Sequence, residues 1–130
     1  MSLPNTTACV QEQVYWSQQQ SETQPACRFT PVSANEVSAA VKEIRLSKCP
    51  FAVKSGGHAC FIGASNSQGG ITIDLEKLST IEVSFDRKTT RLGSGNHWSD
   101  VYSRLETLGL AVTGGRNGDI GVGGLTLGGC

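Results

Sequence analysis

Two glycine-rich segments, 54–59 and 114–124, constrain this chain more than anything else in it. Lys54-Ser55-Gly56-Gly57-His58-Ala59 closes the apolar run Pro50-Phe51-Ala52-Val53. The second, Gly114 to Gly124, closes Leu110 to Thr113. The chain holds 16 glycines in 130 residues, not periodic, which excludes collagen, and clustered after residue 55. Glycine lets a backbone turn sharply and approach a ligand closely. Successive N–H groups in such a turn make a concavity for anions such as phosphate. Taken alone, 54–59 reads equally well as a strand-ending loop with a solvated histidine. The second segment moves the reading toward a backbone shaped around a ligand.

The common nucleotide loops do not fit. Gly93-Ser94-Gly95 and Gly121-Val122-Gly123 both lack the third glycine of the dinucleotide fingerprint, and no glycine precedes Lys and then Ser or Thr as a P-loop requires. Formal net charge is zero, with 11 basic and 11 acidic residues, so no field recruits nucleic acid or an anionic membrane. No apolar run approaches the ~18 residues of a membrane span, and no secretory leader is recognisable. The location is therefore left open. Five cysteines, Cys9, Cys27, Cys49, Cys60 and Cys130, show no C-x-x-C spacing, and no metal site is expected. A Cys9–Cys27 bridge is open in an oxidising compartment, and Asn5-Thr6-Thr7 fits a glycosylation sequon. Cys60 lies close to His58, but no third group would orient a Cys/His nucleophile.

The pattern predicts helix around Val10, Val14 and Tyr15. It predicts a second helix from the capping box Ser33-Ala34-Asn35-Glu36 to about Ser47, with Val37, Ala40, Val41 and Ile44 on one face. Residues 51–54 read as a buried strand, 71–75 as a half-buried one, and 81–85 with 89–92 as a hairpin. Asn96 is expected to cap a third helix with Trp98, Val101, Tyr102, Leu105 and Leu108 on its apolar face, stopped by Gly109. Leu110 to Thr113 reads as a further strand. The fold class is α+β.

Read in order, "PFAVKSGGHA", "GASNSQGGITIDLEKL", "GSGNHWSDVY" and "GLAVTGGRNGDIGVGGLTLGG" resemble the FAD-linked oxidases of the vanillyl-alcohol oxidase type, in particular fungal oxidases similar to berberine bridge enzyme. The resemblance runs from Tyr15 to the last residue. It implies a truncated mixed α/β FAD-binding domain of PCMH type at 31–130, preceded by a helical lead-in at 1–30. It implies that Ser55, Gly56 and Gly57, flanked by Lys54 and Ala59, turn N–H groups to the pyrophosphate. It implies that His58 carries FAD through the 8α-methyl: neutral imidazole is a nucleophile, and that methyl becomes electrophilic once deprotonated. Gly118, Gly121, Val122 and Gly124 would wrap the cofactor. Some members bind FAD a second time through a cysteine where this chain has Asn117. The expectation is one link, or a flavin held without covalent bonds, with Asn117 a polar contact. The catalytic acid or base and the substrate domain would lie outside the chain. The function implied is the FAD-binding part of an oxidoreductase acting on a small organic substrate with O2 as acceptor. A truncated, non-catalytic remnant is the alternative.

Overall fold

The computed structural model describes residues 15–128. The element order is α1 (Gln18–Ser21), β1 (Cys27–Phe29), α2 (Ala34–Ser47), β2 (Phe51–Lys54), β3 (Ile71–Asp74), a 3-10 turn (Leu75–Lys77), β4 (Ile81–Val83), β5 (Thr90–Leu92), α3 (Trp98–Glu106) and α4 (Val122–Gly128). Of the expected first helix, Val10 and Val14 lie outside the described residues; within them, Tyr15 is not helical and α1 is a single turn.

β1, β3 and β2 form a parallel three-stranded sheet in that order. β1 lies on the lead-in side of the expected boundary at residue 30, so the sheet crosses it. Central β3 has neighbours on both edges, and Thr72, Ile73 and Asp74 are all buried. The half-buried expectation for this strand fails because its polar residues meet partners rather than water. The buried expectation for β2 fails in the opposite sense: it is an edge strand, and Phe51 and Val53 alternate outward with buried Ala52 and Lys54. Period two describes which face a residue occupies, and the cover on that face decides its burial.

Capping sets the limits of α2. Ser33 Oγ accepts from the Glu36 N–H at 3.3 Å, and Glu36 Oε2 accepts from the Val32 N–H at 2.9 Å. Lys48 ends the helix in the left-handed region at φ 52. Of the expected apolar face, Ile44 is buried and Val41 is exposed.

β4 and β5 form the expected hairpin, Ile81 opposite Leu92. α3 packs on it through Trp98, Val101 and Leu105, joined by Val122 of α4 in one core cluster. Burying each such side chain stabilises by roughly 1.5–3 kcal/mol. The α3 cap differs from expectation. His97 is the N-cap, and its N–H donates to Asp100 Oδ2 at 3.3 Å. Asn96 is buried instead, donating from Nδ2 to the Thr80 and Gly93 carbonyls at 3.1 and 2.9 Å. Gly109 adopts φ +63 just past α3, as a helix stop requires. Residues 110–113 are not a strand, because no partner strand lies beside them among the described residues.

Candidate functional site

Parallel strands offer their carboxyl ends as the place where loops can build a ligand crevice. β2 and β3 pair with Lys54 opposite Asp74 at those ends. Asp74 is fully buried and ion-paired with both Lys54, at 2.9 Å, and Arg28 of β1. One carboxylate thus faces two cations. Burial first, and then the neighbouring Arg28 charge, push the Lys54 ammonium down to about 8, while Glu76 opposes them. This network ties the last residue of β2 to both other strands and fixes where the loop departs.

The loop leaves that anchor through Ser55 and turns at Gly57, at φ +68. A side chain on Gly57 would also meet Lys54 and the Tyr15 ring at 3.1 and 3.2 Å. Tyr15 lies under the turn with its hydroxyl donating to the Ser65 carbonyl at 3.1 Å, and burial pushes its pKa up to about 12. The main-chain N–H groups of Gly56 through Ala59 donate to no acceptor among the described residues. Those groups are available to a ligand rich in acceptor oxygens.

Opposite this turn stands the second glycine loop. Gly121 bridges to His97 in antiparallel fashion. A Cβ on Gly56 would lie 2.5 Å from the Gly121 nitrogen and 3.1 Å from His97 Nε2. The His97 main chain thus pairs with Gly121 while its ring edge lies beside Gly56. Ser55 Oγ donates to the Ser94 carbonyl at 2.5 Å, and Gly123 passes 3.0 Å from that hydroxyl oxygen, measured from an added Cβ.

Between the loops lies a cavity of about 520 Å³. Its wall includes Ser55, Gly56, Gly57, His58 and Ala59 from the first loop and Gly121 and Gly124 from the second. Four of the expected contacts are not on that wall. The Lys54 ammonium is turned to Asp74. Val122 is core: its side chain packs with Trp98 and its N–H donates to the Asn96 carbonyl at 2.9 Å. Asn117 is exposed, and its Oδ1 accepts from the Asp119 N–H at 3.0 Å in a local turn. The Gly118 carbonyl accepts from the Ser99 N–H at 3.0 Å, holding that loop against α3. Asn117 thus does not line this cavity. Sequence reasoning passed over Ser65, Leu75, Ser94 and Ile120, which also line the wall. No short motif marks them, because tertiary packing alone brings them there.

The geometry fits FAD. The cavity is within the usual range for a small-molecule site. Its wall is built on Gly56 and Gly121, which approach too closely for either to carry a Cβ, and its free donors suit a pyrophosphate.

The chain matches the model of the FAD binding domain family over residues 25–130 and belongs to that family. It is 44% identical over 116 residues to the FAD-dependent monooxygenase tpcD of Cochliobolus heterostrophus, covering 89% of this chain and 22% of that protein. It is 42% identical over 105 residues to the bifunctional solanapyrone synthase of Alternaria solani, covering 81% of this chain and 20% of the other. The chain thus spans about a fifth of the length of these curated relatives. Among solved structures, 6-hydroxy-D-nicotine oxidase of Arthrobacter nicotinovorans superposes with a TM-score of 0.84 at 24% identity, over 95% of this chain and 27% of that one. The BBE-like 1 protein of Physcomitrella patens gives 0.77 at 16%, again over 95% and 27%. These two likenesses establish the fold, a PCMH-type FAD-binding domain of mixed helix and strand. The cofactor of the family is FAD, and tpcD is named as an FAD-dependent enzyme. No helix among the described residues is long and apolar enough to cross a membrane.

Proposed function

We propose that this chain is the FAD-binding part of an oxidoreductase that oxidises a small organic substrate and passes the electrons to O2. The observation that carries this reading is the cavity formed where the 55–59 and 121–124 loops meet. In this reading Ser55, Gly56 and Gly57 direct main-chain N–H groups to the pyrophosphate, and His58 bonds the isoalloxazine at the 8α position. The flavin supplies a two-electron acceptor for hydride from a substrate carbon, and O2 removes the pair as hydrogen peroxide. The chain's own residues bind and orient. None of them is assigned as acid or base, and the face over the reactive ring is left to residues beyond this chain.

The test is made on the longest gene product that contains these residues. Purified protein should carry FAD near one per chain, and turnover should release one hydrogen peroxide per substrate oxidised. Incorporation of ¹⁸O from labelled dioxygen into product would overturn the oxidase part and favour the monooxygenase activity that several relatives are named for. Protein that folds but never holds flavin would overturn the binding itself.

A further inference from the structure

A row of side chains from residues 15–20 grips the loop that carries His58, and every grip is on a main-chain carbonyl. The Trp16 indole N–H donates to the His58 carbonyl at 2.5 Å, and the Ser17 hydroxyl donates to the Cys60 carbonyl at 2.8 Å. The Gln20 amide donates to the Phe61 carbonyl, and the Tyr15 hydroxyl to that of Ser65. The gripped loop has little packing of its own, since Phe61 and Ile62 are 63% and 68% exposed. The donors are better anchored: Ser17 is buried and Gln20 is fully so.

We propose that Trp16 is the positioning residue for flavin attachment at His58. The proposal rests on the reading that His58 carries the flavin. Trp16 touches His58 twice: its N–H holds the carbonyl, and its ring lies against the imidazole, centroids 5.1 Å apart and planes 32° from parallel. Core packing does not explain its place, because Trp16 is 65% exposed. Its described contacts fix the two torsional ends of one residue, the main chain and the ring. Bond formation needs a ring nitrogen held toward one carbon, and holding the geometry beforehand removes that ordering from the barrier. The bond joins a His58 ring nitrogen to the 8α-carbon. The imidazole N–H proton and one C–H proton leave, the flavin takes the electron pair, and dioxygen carries it away as hydrogen peroxide.

The experiment uses the longest gene product containing this chain, expressed under riboflavin limitation and then given FAD. Total flavin and acid-stable flavin are followed over time. With Trp16→Ala the account expects total flavin within about twofold of the unsubstituted protein and acid-stable flavin forming at least about tenfold more slowly. Trp16→Phe retains the ring face without the N–H and should recover part of that rate. Equal attachment rates in Trp16→Ala and the unsubstituted protein would overturn the proposal. Loss of total flavin in both variants would also overturn it, assigning Trp16 to loop stability alone. A bound flavin wholly released by acid from the unsubstituted protein would instead sink the His58 bond, and the Trp16 role with it.

Discussion

A Cβ built on Gly56 would stand 2.5 Å from the main-chain nitrogen of Gly121, and one built on Gly121 would stand 2.6 Å from the Gly56 Cα. The two glycine loops are therefore in backbone contact, with no room for any side chain between them. Neither neighbour can move aside as a flexible side chain would.

Gly56→Ala and Gly121→Ala should each force the loops apart. Overpacking of this kind costs about 1–3 kcal/mol, and here it falls on the cofactor crevice. FAD affinity should drop by about tenfold or more, by flavin fluorescence titration.

Asp74→Asn should be among the most damaging changes in the sheet. It leaves Arg28 and Lys54 buried without their carboxylate. Breaking a buried pair from one side costs about 3–5 kcal/mol. Lys54→Met, which leaves the Arg28–Asp74 pair in place, should cost far less. Denaturant melts of the two variants compare them directly.

The same cluster predicts how stability responds to alkali. Lys54 titrates at about 8 when folded, against 10.5 in the unfolded chain. Between those values the unfolded chain binds more protons, so stability rises with pH. Below about 8 the burden of the buried second cation is fully present. Tyr15 acts the other way: it titrates at about 12 folded and 10.0 unfolded, so its share of stability is lost as pH climbs from 10 to 12. Melting midpoints should climb above pH 8 and fall beyond pH 10. Lys54→Met should abolish the climb and leave the fall.

In the second core, Leu105→Ala should destabilise by about 2–5 kcal/mol, since Leu105 is 1% exposed among Trp98, Val101 and Val122. Gly114→Ala should be comparably harmful, because its Cβ would enter the Trp98 ring. Thermal melts check both.

The local rules that could be read from sequence were those with a local cause. Ser33 and Glu36 cap α2, Gly109 stops α3, and the 81–92 hairpin forms, because each depends on neighbours in the chain. The readings that failed depend on distant ones. Asn96 takes a buried hydrogen-bonding position while His97 caps α3, because Thr80 and Val122 come to meet Asn96. Thr72 and Asp74 are buried because Asn66, Arg28 and Lys54 arrive from other segments. Gly56, Gly57, His58 and Gly121, which the resemblance named, lie on one cavity wall. It could not show that Val122 is core, or that Trp16 lies on His58.

The central claim is that FAD sits between the two loops and is bonded to His58. Proteolysis and mass spectrometry of acid-precipitated, flavin-loaded gene product test it most directly. The account predicts one flavin-bearing peptide, containing His58, and none in the His58→Ala variant. Complete release of flavin by acid, or a flavin-bearing peptide spanning Gly115 to Gly124, would contradict it.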